Sequence, residues 1–99
     1  MIKYIIKVTY LEGKHVGKEY FLNKQGYVVE KLDYIWQDSA YDLRACKAVC
    51  TRKTKENIAE GIFEMRQRER RIIEGKPVSP FRLYDRQKYE PFAIETVDR

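Results

Sequence analysis

The chain is predicted to fold as one α+β domain: an antiparallel sheet of three to four strands packed on one long helix or a helix pair, with a C-terminal strand rejoining the sheet. Three observations predict it. Ile2, Tyr4, Ile6, Val8 and Tyr10 alternate with Lys3, Ile5, Lys7 and Thr9, a period of two that a helix cannot place on one face. Between residues 39 and 75 apolar side chains recur at helical spacing and end at Gly75 and Pro77, a helix stop signal. An extended pattern then returns over residues 91–97, with Phe92 and Ile94 on the inward side. The domain divides accordingly into a hairpin or meander (1–36), a helical segment (39–75) and C-terminal strands (79–97).

After the first strand, the Gly-bounded run from Glu12 to Gly17 leads into Glu19-Tyr20-Phe21-Leu22, which reads as an antiparallel hairpin with a long loop. Gln25-Gly26 marks a second turn. From Tyr27 to Trp36 an extended chain places Val28, Leu32, Tyr34 and Trp36 on one side, with Glu30 breaking the pattern; this predicts a third strand, ending near Glu30 or reaching Trp36. Trp36 is expected to anchor the core.

Asp38 or Ser39 is expected to cap the helix, because either side chain can accept from first-turn amides, and Asp42 stands three residues beyond Ser39 as in a capping box. At 100° per residue, Ile58, Ile62, Met65, Ile72 and Ile73 share an arc of roughly 100°. Leu43, Cys46 and Cys50 fall on a rotated arc. The mismatch favours a bend near Thr51 to Thr54, and leaves open whether 39–75 is one helix or two. Past Pro80, Phe81-Arg82-Leu83-Tyr84 is expected to form a short strand, and residues 91–97 the one that returns to the sheet.

Composition narrows the function classes. The 99 residues suffice for one modest core. With 43% hydrophobic and 35% charged residues, the chain can fold but carries a heavily charged surface. No apolar run approaches the ~20 residues of a membrane span, and the N-terminus lacks a signal-like apolar core, so a cytoplasmic protein with no membrane partner is expected. Cys46 and Cys50, four apart on one helix face, suit reduced thiols better than a disulfide.

The net charge of +5 is the surplus of one segment: from Arg44 to Lys76 there are ten Lys and Arg against five Glu. Four of these are packed into Arg66, Arg68, Arg70 and Arg71, and guanidinium groups grip carboxylate or phosphate in bidentate fashion. On a continuous helix, Arg66 and Arg70 share a face with Arg52 and Lys55, while Arg68 and Arg71 lie nearer the Glu56, Glu60 and Glu64 side. A solvated face laced with ion pairs such as Glu64 to Arg68 is the ordinary reading of such a run. An acidic protein surface, a nucleoprotein complex or nucleic acid is the functional one.

Eight tyrosines form the second unusual feature. Tyr4, Tyr10 and Tyr20 are expected to pack in the sheet; Tyr41, Tyr84 and Tyr89 are candidates for exposed contacts, since interfaces and single-stranded nucleic acids both use aromatic rings. The candidate binding set is therefore Arg52, Lys55, Arg66, Arg68, Arg70, Arg71, Tyr41, Tyr84 and Tyr89. Cys46, Cys50 and the single His15 fall one ligand short of a tetrahedral metal site and include no CxxC pair, so neither metal nor cofactor is expected. No catalytic residue is assigned, because no phosphate-binding glycine loop, nucleophile elbow or Cys-His dyad is present. The enzymatic alternative is a small metal-independent ribonuclease in which Arg, Lys and Tyr hold the phosphate.

The succession MIKYIIKVTY, KEYFLNKQGYVV and AYDLRACKAV resembles small accessory proteins of phages and prophages in Gram-positive hosts, over the first half of the chain. Those proteins open with a tyrosine-rich hairpin, continue with Ala-x-x-[Phe/Leu], here Ala40 to Leu43, and place alanines such as Ala45 and Ala48 on the following helix. The group includes anti-CRISPR and other host-takeover inhibitors that occupy a surface of a host enzyme, and it shares no site motif from which a functional residue could be transferred. The resemblance implies a non-enzymatic inhibitor that binds a host protein or nucleoprotein complex. Direct nucleic-acid binding by the same helix is the alternative, and oligomeric state is not legible.

Overall fold

β1 (Ile2–Tyr10) and β5 (Gln87–Val97) form the centre of the sheet in a computed structural model that describes residues 1–78 and 85–98. They pair antiparallel from Ile2 opposite Glu95 to Tyr10 opposite Gln87, so the two strands that alternate most clearly in sequence meet each other. β2 (Glu19–Leu22) and β3 (Val28–Val29) extend the sheet beyond β1, and β4 (Ile35–Trp36) closes the other edge beside β5, giving the order β3-β2-β1-β5-β4. The expected three or four antiparallel strands are thus corrected to five in a mixed sheet, because Ile35 and Trp36 run parallel to Thr96 and Val97.

The expected strand from Tyr27 to Trp36 is two separate pieces. Val28 and Val29 pair with Leu22 and Phe21 on one edge, and the chain then crosses the sheet to place Ile35 and Trp36 on the other. Ile35 is buried in this crossing, whereas Trp36 remains 38% exposed and does not anchor the core. The crossing closes a core on one face, where Ile5, Ile35, Ala40 and Ile94 pack with Phe21, Val29 and Phe92. The Phe21 and Phe92 rings meet tilted at 4.9 Å, a favoured aromatic geometry. Lys7, on the same face, lies 2.8 Å from Glu19 and 3.8 Å from Glu90; the Glu19 hydrogen bond, against some desolvation, holds its ammonium above the ordinary lysine range.

Pro91 is accommodated in β5 by register. Tyr4 exchanges both backbone hydrogen bonds with Tyr41, at 2.9 and 2.8 Å, so even-numbered residues of β1 turn their amides away from β5. Ile6 stands opposite Pro91, and the donor that proline lacks would therefore point away from β1.

α1 (Leu43–Ile73) covers the opposite face as one unbroken helix of 31 residues. The open choice between one helix and two is settled as one, which runs through Thr51 to Thr54 without a break; both threonines turn their hydroxyls back to the helix, Thr51 to Lys47 O at 3.0 Å and Thr54 to Cys50 O at 2.8 Å. Neither Asp38 nor Ser39 is the cap. Those residues lie in a 3-10 turn (Gln37–Ser39), and Asp42 caps α1, its carboxylate accepting from Ala45 N at 2.7 Å. The bridge with Tyr4 holds Tyr41 extended, so residue 42 is the first that can open the helix. At the other end, Gly75 adopts φ +71°, its N–H donates to Ile72 O, and Lys76 N–H donates to Arg71 O. This is a Schellman closure.

Beneath α1, Ile6, Val8 and Leu22 pack with Cys46 and Cys50. The last buried helix residue among those described is Asn57, 6% exposed. Its Nδ2 donates to Asp85 O at 3.3 Å and its Oδ1 accepts from Gln87 N at 3.0 Å, fastening mid-helix to the start of β5. A helix of this length spans about 46 Å, against about 30 Å for β1, so α1 runs past the sheet. The molecule measures 58 × 23 × 18 Å, and its 16.9 Å radius of gyration exceeds the roughly 13 Å of a compact chain this long.

Candidate functional site

Because α1 is one continuous helix, its two apolar arcs cannot both face the sheet. The sheet-facing line runs Cys46, Cys50 and Asn57, then continues through half-buried Gly61, Glu64 and Arg68. It is apolar only at its N-terminal end. The second line, turned by about 100°, is exposed: Ile58 44%, Ile62 45%, Met65 59% and Ile72 65%. The mismatch visible in sequence thus reflects an apolar line left uncovered on a projecting half-helix, not a division into two helices. Beside that line, among the described residues, α1, Glu12 and Arg86 enclose a cleft of about 590 Å³ lined by Ile58, Gly61, Ile62, Glu64, Met65 and Arg68.

The candidate basic residues separate by position. Arg52, Lys55, Arg66 and Arg70 share one exposed side of the continuous helix, as periodicity requires. Arg66 and Lys55 make no ion pair among the described residues. Arg52 reaches Glu56 at 3.8 Å and Arg70 reaches Glu74 at 3.6 Å, all four side chains well exposed, so these pairs hold the guanidiniums weakly. Arg68 is half-buried at the rim of the cleft. Arg71 donates to Pro77 O at 3.5 Å near the helix stop.

The tyrosines do not join this surface. Tyr41 is half-buried, packs against the core beneath α1, and donates its hydroxyl to Lys24 O at 3.3 Å. Burial raises its pKa, with Cys46 nearby adding to the effect. It precedes the N-terminus of α1, 25 residues before Arg66, a rise of about 37 Å. Tyr89 also packs against that core and donates to Gln87 Oε1 at 2.6 Å. Tyr84 lies outside the described residues, as does the short strand expected at 81–84. Sequence reasoning missed the exposed isoleucines and Met65 as functional candidates, although their rotation from the Cys46 and Cys50 arc was the available signal.

Cys46 and Cys50 are free and buried. Burial pushes the Cys46 thiol up to about 12, with Cys50 contributing, and raises Cys50 as well. Cys46 Sγ donates to Ile5 O at 3.6 Å. They are core residues, protonated and inert at neutral pH. Among the described residues no cluster of three or more His, Cys, Asp or Glu is arranged to hold a metal ion, and no helix is long and apolar enough to cross a membrane.

Comparison with protein-family models finds no matching family, and comparison with curated proteins and with solved structures finds no match either.

Proposed function

We propose that this is a non-enzymatic binding protein that presents the outer half of α1 to an acidic protein surface, alone or within a nucleoprotein complex. The sequence resemblance to phage accessory proteins makes stoichiometric inhibition of a cytoplasmic host machine the fitting biological role. The observation that carries the reading is the pairing, on one projecting half-helix, of exposed Ile58, Ile62, Met65 and Ile72 with exposed Arg66 and Arg70. Exposed apolar surface of this kind marks contact with protein. Guanidinium groups beside it select a carboxylate-rich counterpart.

Direct nucleic-acid binding is the second reading, favoured by the single side shared by Arg52, Lys55, Arg66 and Arg70. It accounts for the cations and leaves the isoleucines unexplained, since phosphate contacts need no apolar line. A photoreactive residue in place of exposed Ala59, beside the apolar line, tests the proposal in cells carrying the protein. Protein adducts that persist after nuclease treatment and disappear in the Arg66→Glu, Arg70→Glu double variant are the expected result. Nucleic-acid adducts, with affinity falling steeply and linearly in log salt, would replace this reading with the second; protein adducts indifferent to the double variant would remove the arginines from it.

A further inference from the structure

We infer that the exposed line of α1 is a seam for a second helix, contributed by a partner protein and bearing acidic residues along the flank of its own apolar line that meets Arg66. This rests on the binding reading above and gives the partner its chemistry. Ile58, Ile62, Met65, Glu69 and Ile72 follow at steps of four, three, four and three residues, the spacing by which one helix keeps a continuous line towards another. The line is continuous because α1 is unbroken. It rises about 21 Å from Ile58 to Ile72, room for two to three helical heptads.

The residues on either side fix the occupant. One flank carries Ala59 and Arg66, the other Gly61 and Arg68. Small Ala59 and Gly61 bracket Ile62, so a helix axis can approach closely there, and the cleft beside Gly61 receives a side chain from it. Further along, Arg66 sets exposed positive charge beside Met65 and has no internal carboxylate among the described residues, whereas half-buried Arg68 on the other flank shares the cleft with Glu12 and Glu64. A partner with Glu or Asp at the facing flank position meets Arg66; Glu69, interrupting the apolar line, calls for one basic or amide residue opposite it.

A second copy of this chain does not supply that pattern. Parallel self-pairing stacks Glu69 on Glu69, and the antiparallel registers set Glu69 against Ile58, Met65 or Ile72. Each also brings a second Arg66 to the same seam. Charge complementarity therefore selects a different, acid-flanked helix.

A displayed library of helical peptides of about three heptads, with seam positions varied between Leu and Ser and flanks between Glu and Lys, tests this directly. The expected winners combine a Leu seam with Glu flanks. A winning peptide, synthesised and titrated by fluorescence anisotropy, should bind about tenfold or more weakly to Ile62→Asp or to Met65→Asp. Both variants alter exposed side chains, and circular dichroism verifies that they fold. Arg66→Glu should shift preference towards Lys-flanked peptides. Winners with Ser seams or Lys flanks, binding indifferent to Ile62→Asp, or a wild-type dimer that Ile62→Asp dissolves would each overturn the inference. If the library fails while nuclease-resistant protein adducts from residue 59 persist, the helical partner is wrong and the binding reading stands; if both fail, the binding reading falls as well.

Discussion

Asn57→Ala should loosen the attachment that lets α1 extend past the sheet. Asn57 is the last buried residue of the helix among those described and bridges two backbone groups of the incoming β5, Asp85 O and Gln87 N. Alanine removes both partners at once. Each lost hydrogen bond, with its partly buried backbone partner left unsatisfied, costs about 1–2 kcal/mol, while the better helix propensity of alanine returns roughly 0.5 kcal/mol. The net loss is about 2–3 kcal/mol. For a domain of this size that lowers the midpoint of thermal unfolding by roughly 8–24 °C. Circular dichroism melts give the midpoint, and amide hydrogen exchange at Gln87 reports the local bond. A variant that melts within a few degrees of the parent, with Gln87 equally protected, would refute the account of Asn57 as the fastening between helix and sheet.

Two further outcomes separate core from surface. The double variant Ile62→Gln, Met65→Gln should leave stability within about 0.5 kcal/mol of the parent, as exposed substitutions do, whereas Ile6→Ala, at a fully buried position, should cost about 2–5 kcal/mol; chemical denaturation measures both, and strong destabilisation by the double variant would show the line is covered from within. Stability should also fall at alkaline pH. Cys46 is raised from 9.0 to about 12 in the folded chain, and Cys50, Tyr20 and Tyr41 are raised too. A raised folded pKa means the contribution is complete below pH 9 and is lost as pH climbs towards 12, by at most about 4 kcal/mol for a three-unit shift. Denaturation midpoints from pH 8 upward should decline, and a thiol reagent at neutral pH should label neither cysteine until the chain unfolds; prompt labelling of the folded protein would contradict their burial.

Which elements could be read from sequence follows from how local their causes are. β1 was legible because its alternation serves two buried faces, Ile5 on one and Ile6 and Val8 on the other. The helix stop was legible because Gly75 supplies a conformation few other residues adopt readily. The two-residue strands β3 and β4 carry no comparable local signal; their pairing is decided by the crossing from one sheet edge to the other. The cap falls on Asp42 and not on the expected Asp38 or Ser39, whose side chains have the same capping ability, because of the Tyr4 to Tyr41 bridge, a contact across 37 residues. Among the site residues, the sidedness of Arg52, Lys55, Arg66 and Arg70 needed only an unbroken helix. The placement of Tyr41 and Tyr89 depended on the tertiary core and was not available from their spacing.

The division of labour along α1 follows from magnitudes. Ile58, Ile62, Met65 and Ile72 keep between 44% and 65% of their surface open, and completing their burial is worth about 1 kcal/mol each on the usual area scale. Together that is about 4 kcal/mol, or roughly a thousandfold in affinity before association costs. An exposed guanidinium at the rim contributes about 0.2–1 kcal/mol. The apolar line therefore supplies the larger share of attraction, while Arg66 and its neighbours raise the encounter rate and reject counterparts of the wrong charge. Had the helix ended at Thr51 to Thr54, a second helix could have turned the isoleucines onto the sheet and left the arginines as an ordinary solvated face. It is the continuity of the helix that converts an apparent flaw in its amphipathic pattern into a surface able to recognise a partner.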